Sequence, residues 1–296
     1  MAARLLQLDE EASACALAVG HHNAATTARW FAVGNAARNG LNAALAAQQG
    51  FTSDRKLLEG RVLPDVLGIT PNALALADGL GGRTALTEVS FKPWCAARQT
   101  MAATQALKDI IAGGVAPAAI DAIAVAVPPP QLKMIDHGVV AGDRASHLTS
   151  VQYAMAAAAL APEMAFDVQQ APPDLPPPVR ALMAKIKVEA DERLLADYPE
   201  SWPARARVAA GLTRHARDVT HVPGDPALPF DRARVREKFL RFTQPVLGAE
   251  TAERILARCG GVLATGEFSQ LMDGIERACS TASLSPSGER AMGSGS

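Results

Sequence analysis

Aromatic side chains are scarce, only 4% of the 296 residues. A core with so few large rings must be built from aliphatic and alanine side chains, and hydrophobic residues reach 49%. Neither sign of charge is in excess: 29 Lys and Arg against 30 Asp and Glu leave a net charge of −1. That balance lacks the electrostatic footprint of a nucleic-acid binder. The four cysteines, Cys15, Cys95, Cys259 and Cys279, form no CxxC pair. This argues against a zinc site or a disulfide framework and fits a reducing cytoplasm. Long apolar runs are also missing. The longest uncharged stretch, 148–162, falls short of the ~20 residues that span a bilayer and reads as a buried helix. Asp9, Glu10 and Glu11 interrupt the start before the apolar core of a secretory signal can form. There is no GxGxxG after a strand, no Walker loop, no HExxH and no GxSxG. His21 and His22 are adjacent, so on a helix they point about 100° apart. None of the other histidines makes a ligand pair beside carboxylates, so neither a metal nor a cofactor is expected.

What remains is a chain of alanine-rich helices with a few strands. Leu5, Leu8, Ala12, Cys15 and Val19 recur at helical spacing. Residues 38–49 predict a second helix, stopped by Gly50, and 54–59 a short charged one. The Gly- and Pro-rich stretch 60–82 reads as irregular, with Gly79, Gly81 and Gly82 supplying a turn. From 88 the pattern changes. Residues 88–91 have strand character, and 98–112 and 148–160 read as helices. Ile123, Val125 and Val127 alternate with alanine ahead of three prolines, which predicts a strand. Ile186 and Val188 alternate with Lys185 and Lys187, and 204–224 reads as two short strands. The run APPDLPPP (171–178) reads as a stiff surface connection. Three helices follow, near 230–243, 249–258 and 267–279. The fold class is therefore mainly α with an inserted α+β domain: 1–88 plus 226–285 helical, 89–225 inserted, and 286–296 a disordered Gly/Ser-rich tail.

Two segments carry chemistry. In FKPWCAARQT, Lys92 precedes Pro-Trp and Arg98 opens a helix. Two cations near a helix N-terminus favour an anion, although local sequence alone favours a plain strand-to-helix turn with solvated charges. In LKMIDHGVVAGDRASHLTSVQY, Lys133, Asp136, His137, Asp143, Arg144, His147 and Tyr153 crowd a loop before an apolar helix. Asp-Arg-x-Ser suits a helix cap. The active alternative makes His137 a proton carrier and Arg144 a carboxylate fork.

Five stretches, in order, carry a resemblance: GNAARNGLNAALAAQQGFTSDRKLLEG, FKPWCAARQTMAATQAL, SHLTSVQYAMAAAAL, AKIKVEAD and HVPGDPALPFDRARVREKF. They resemble the MmgE/PrpD family, which includes 2-methylcitrate dehydratase, cis-aconitate decarboxylase and iminodisuccinate epimerase. The resemblance implies an all-helical domain with an inserted α+β lid, usually as a homodimer. It also implies cofactor-independent lyase or isomerase chemistry on a small di- or tricarboxylic acid, begun at the carbon next to a carboxylate. Lys92 matches the lysine of the family's K-P-Y-P-like motif, Arg98 and Thr100 match later polar positions, and Tyr153 matches the lid-helix tyrosine. Arg29 stands where the family often has lysine, ahead of the glycine matched by Gly34; arginine keeps the charge but cannot act as a base.

This sequence departs from the family twice. The histidine five or nine residues after the lysine is replaced by Ala97 and Met101. His137 or His147 is the substitute read from this sequence. The family's first helices, with an Asp, a Thr and a His of the site, have no counterpart. Three explanations are weighed: one half of a split enzyme, a truncated product, or a smaller complete member, the first two ranked together above the third. The expected site is Lys92, Tyr153 and His137 as catalytic residues, with Arg29, Arg98 and Arg144 binding substrate and no metal. The alternative is a non-catalytic or half-enzyme subunit, completed by a chain that supplies the missing helices. Either form would be cytoplasmic, and a homodimer or hetero-oligomer.

Overall fold

The computed structural model describes residues 28–52, 60–70, 72–82, 85–166 and 174–283. The chain divides into two compact units, 1–88 and 89–296. The expected helices at 5–19 and 54–59 and the tail 286–296 lie outside the described residues.

In the first unit, helix α1 is Ala28–Gln48, longer at its start than the 38–49 predicted. Gly50, at φ 87°, takes the left-handed conformation just past its end. The stretch expected to be irregular holds two short helices, α2 Val62–Leu67 and α3 Ala73–Ala77. Asn72 caps α3, its side chain accepting from the Leu74 and Ala75 amides. Residues 78–82 form the glycine turn.

The second unit is built on one long buried helix, α4 Arg98–Ala112. Its sequence is rich in Ala, Leu, Met and Gln, good helix formers. Met101, Thr104, Leu107 and Ile110 fall on one buried face at helical spacing. Each large apolar side chain there contributes roughly 1.5–3 kcal/mol by leaving water. The sheet beside α4 has four strands: β1 Ile120–Val127, then, beyond helices α5 Pro129–Ile135, α6 Arg144–Thr149, α7 Val151–Leu160 and α8 Pro177–Met183, strands β2 Ile186–Ala190, β3 Ala204–Ala210 and β4 Thr213–Val219. Their order is β2-β1-β3-β4. β2 runs parallel to β1, and β3 is antiparallel to both β1 and β4. Ile123, Val125, Val127, Ala206 and Val208 point into a single core with Met101, Leu107 and Met155. α4 and α7 pack on each other over that face, and α8 packs on α7.

Two predictions are corrected here. The segment 88–91 is not a strand: residues 85–88 form a 3-10 turn, and Phe91 makes one backbone bond, its N–H donating to Gly224 O at 2.8 Å. The run 171–178 is not purely a connection, because Pro177 and Pro178 open α8. Proline is tolerated there, since the first turn of a helix has no use for its N–H.

Three more helices complete this unit: α9 Arg232–Leu247, α10 Ala249–Thr265 and α11 Phe268–Ser283. Asp231 caps α9 through the Arg234 amide. Arg241 of α9 lies 3.4 Å from the Phe166 ring centroid and bonds Glu163 at 2.6 Å. The architecture is thus helix-rich with a small mixed sheet. Among the described residues no helix is long and apolar enough to cross a membrane, and Cys95, Cys259 and Cys279 are free thiols.

An acid-sensitive clamp closes the sheet end. Asp191 accepts from Arg193, and Arg205 reaches both Asp191 and Asp218. The Arg193 hydrogen bond holds the Asp191 carboxyl down to about 2, from an ordinary 3.8. A depressed carboxylate stabilises the fold above its unfolded value, and this contribution disappears as pH falls through the folded one. Asp191→Asn is therefore expected to lower the melting temperature at neutral pH and to flatten its dependence between about pH 4 and 2. Identical melting-versus-pH curves for the two proteins would contradict this role.

Candidate active site

The cationic turn 92–98 joins the two halves of the chemistry that the sequence singles out. Its backbone is pinned at three points. Phe91 N–H donates to Gly224 O, Cys95 N–H to Ala165 O at 3.0 Å, and Ala97 N–H to Leu148 O at 2.7 Å. The Trp94 side chain is buried below the turn. Lys92 Nζ donates to the Ala96 carbonyl at 3.0 Å, so the lysine folds back over its own turn. From the other side, Arg144 Nη2 donates to Cys95 Sγ at 3.4 Å. Lys92 and Arg144 are therefore brought to the same seven-residue turn, from segments about fifty positions apart.

The second group forms around α6 and the start of α7. Asp143 caps α6 by accepting from the Ala145 and Ser146 amides, and Ser150 caps α7 by accepting from Tyr153 N–H. The capping reading of Asp-Arg-x-Ser is thus realised, and it fixes the angle between the helices. Ser150 Oγ also donates to the His137 carbonyl at 2.6 Å, which ties the loop down. His137 is half-buried. Its Nδ1 lies 2.7 Å from Gly138 O and its Nε2 3.0 Å from Thr149 Oγ1. A carbonyl only accepts, so Nδ1 carries a proton in this arrangement. Thr149 then has one hydroxyl proton and two acceptors for it, Ala145 O and His137 Nε2.

His147 is more deeply placed, with 4% of its surface exposed. Its Nδ1 donates to Asp143 O at 2.8 Å, which leaves Nε2 as the lone-pair nitrogen, buried with no hydrogen-bond partner. The ring meets Tyr153 edge-on, with centroids 4.9 Å apart. Tyr153 is itself buried. A cavity of about 260 Å³ opens beside His147, lined also by Val139, Leu175, Arg180 and Met183.

Arg98 is oriented differently from Lys92 and Arg144. Its Nη2 donates to both carboxylate oxygens of Asp225, at 2.6 and 2.7 Å, in a pair shielded from water. Asp225 also accepts from Val222 N–H at 2.8 Å. Thr100 is buried and donates to Ala97 O, closing the first turn of α4. Arg29 lies on α1 in the first unit, and its side chain is outside the described residues. Among the described residues no group of three His, Cys, Asp or Glu gathers as for a metal ion.

The MmgE/PrpD C-terminal domain model matches residues 94–260, more than half of the chain. The chain belongs to the MmgE/PrpD family. No curated protein matches it. The matched span holds α4, the whole sheet, the α6–α7 loop and α9, and it begins two residues after Lys92. MmgE/PrpD members are in general hydro-lyases.

Sequence reasoning missed three participants. Asp225, the anchor for Arg98, stands 127 positions away, beyond any local pattern. Cys95, not assigned to the site from sequence, accepts from Arg144. Lys238 of α9 is not singled out in the sequence. Lost hydration lowers its pKa from the ordinary lysine value, and the nearby Cys95 opposes that shift.

Proposed function

We propose that this MmgE/PrpD member is a cofactor-independent hydro-lyase for a small di- or tricarboxylic acid of the 2-methylcitrate type. The observation that carries this reading is the meeting of Lys92 and Arg144 at the 92–98 turn, which Ala97 N–H ties to Leu148 O of the helix carrying His147, itself edge-on to Tyr153. Lys92 and Arg144 would hold carboxylates and stabilise the charge that develops on the substrate. Arg98 is mainly a positioning residue, but its buried Nη1 has no hydrogen-bond partner and offers a donor that a carboxylate oxygen would satisfy. Arg29, from the first unit, remains a proposed carboxylate ligand. Tyr153 and His137 are the proposed proton carriers, and the lone-pair nitrogen of His147 adds a third. In the reaction a base takes the proton from the carbon next to a carboxylate. The carbon–carbon double bond forms as the carbon–oxygen bond breaks, and an acid protonates the departing hydroxyl, so that water leaves.

A second reading is favoured by a separate observation. Leu41, Leu45, Phe51, Leu74, Leu80 and Leu86 of the first unit are 50–85% exposed. Large apolar side chains left exposed in such number suit an association surface. On this reading the chain is a subunit whose partner, a second copy or a helical chain, covers these side chains and completes the site. Both readings place it in the cytoplasm.

The test is to incubate the purified chain, alone and co-expressed with any neighbouring gene product, with 2-methylcitrate or cis-aconitate in D2O. Proton NMR follows loss of the signal next to the carboxylate and appearance of product. Exchange or elimination by the chain alone supports the first reading, and activity only with a partner supports the second. No exchange with either acid in either preparation overturns both.

A further inference from the structure

Against Pro93 and Trp94 of the 92–98 turn lies a cationic cavity whose basic residues the proposed reaction does not use. A cavity of about 130 Å³ is bounded by Trp94, Gln105 and Lys108 on one side and by Arg234, Lys238 and Arg241 of α9 on the other, with Phe166 and Phe230 closing its ends. Four cations and one carboxylate, Glu237, line it. The other nearby acids are already engaged: Glu163 with Arg241, and Asp109 with Arg217 and Gln105. Two of the cations also rest on aromatic faces. Lys108 Nζ stands 4.7 Å above the Trp94 ring, and Arg241 stacks on Phe166.

Like charges converging from two helices repel unless a ligand neutralises them. Lys108 registers that repulsion. Lost hydration lowers its pKa first, and Arg234 and Arg241 lower it further, with Asp109 opposing. The cavity has room for about four waters at ~30 Å³ each, the size of a compact tetrahedral oxyanion and its hydration. Lysine and arginine together are the usual donors to phosphate oxygens.

We propose that the cavity between α4 and α9, lined by Lys108, Arg234, Lys238 and Arg241, is a binding site for a phosphate group that draws α9 onto the sheet domain. It shares Pro93 and Trp94 of the turn with the proposed turnover site, but none of the residues proposed there to bind carboxylates or carry protons, and its test reads binding and not turnover. Inorganic phosphate is the probe, compared with malonate and with chloride at equal ionic strength. Wild-type protein is expected to gain on the order of 3 °C or more in melting temperature at a tenfold excess of phosphate over its Kd. Malonate and chloride should give less than half of that gain. Hydrogen exchange should slow in α9 when phosphate binds.

Lys108→Met keeps the apolar stem over Trp94 but removes the charge. In phosphate-free buffer it should melt at or above the wild-type temperature, because a repelled cation is gone. It should also lose most of the phosphate response, and Arg234→Gln, an exposed change, should weaken the response severalfold. A phosphate gain equal to that from malonate or chloride overturns the proposal. So does an undiminished gain in both variants. A merely structural Lys108 would instead show a lower melting temperature in phosphate-free buffer with the phosphate response intact.

Discussion

Lys92→Ala is expected to cut kcat for the accepted polycarboxylate by about a hundredfold or more, the loss typical of one donor aimed at developing charge. The argument runs from position to energy. Lys92 is exposed, and its Nζ donates to Ala96 O within its own turn. Its removal should therefore cost the fold no more than about 1 kcal/mol. The turn itself is held by Phe91, Cys95 and Ala97 backbone bonds that do not involve the lysine. Activity and stability are thus separable at this position. If the ammonium only gripped a ground-state carboxylate, KM would rise with kcat unchanged; if it stabilises the enolate-like charge, kcat falls. The expected pattern is the second, with the melting temperature moved by a few degrees at most. Lys92→Arg should retain part of the rate, because the positive charge stays. Full turnover by the alanine variant, measured on the assembly that is active, would remove Lys92 from the mechanism and with it the central assignment.

Much of this arrangement was readable from the sequence because it rests on periodic burial. Ile123, Val125 and Val127, the Ile186–Val188 pair and the apolar face of α4 all follow directly from one side facing the core. Turn chemistry did less well. Pro177 and Pro178 looked like a connection because proline usually breaks a helix, yet at the first turn it starts one. The two helices between 62 and 77 were hidden by flanking glycines and prolines, and Asn72 was the overlooked cap. The strand expected at 88–91 failed for want of a ladder: a strand is defined by partners, and Phe91 finds only Gly224. The site divides along the same line. Lys92, Arg144, His137 and Tyr153 announce themselves by residue type and local spacing. The Arg98–Asp225 pair and the approach of Lys238 to the turn are long-range facts, fixed by how α9 and the loop at 220–231 return to α4. No window of a dozen residues contains them.

That returning loop is the source of the largest stability effect expected here. Gly224→Ala should destabilise the second unit by about 4 kcal/mol or more, enough to lower the melting temperature by roughly 10 °C. Gly224 sits at φ 98°, and a Cβ there would stand 2.0 Å from the Phe91 carbonyl oxygen and 3.2 Å from the Phe230 ring. The first obstacle is backbone and cannot swing away. Either segment 222–225 or the backbone around Phe91 has to retreat. Retreat stretches the bond from Phe91 N–H to Gly224 O, a loss of about 1 kcal/mol. It also pulls Asp225, the next residue, off Arg98. A buried ion pair broken on one side costs about 3–5 kcal/mol, so even a partial displacement is expensive. Gly211→Ala provides the comparison. Gly211 also has a positive φ, of 56°, but a Cβ there meets nothing within 4 Å. It should cost only the left-handed strain, about 1–2 kcal/mol. The difference between the two melting temperatures isolates the close approach at Phe91. Equal destabilisation would mean that the 92–98 turn is not held in place by this crossing, and that Lys92 owes its position to something else.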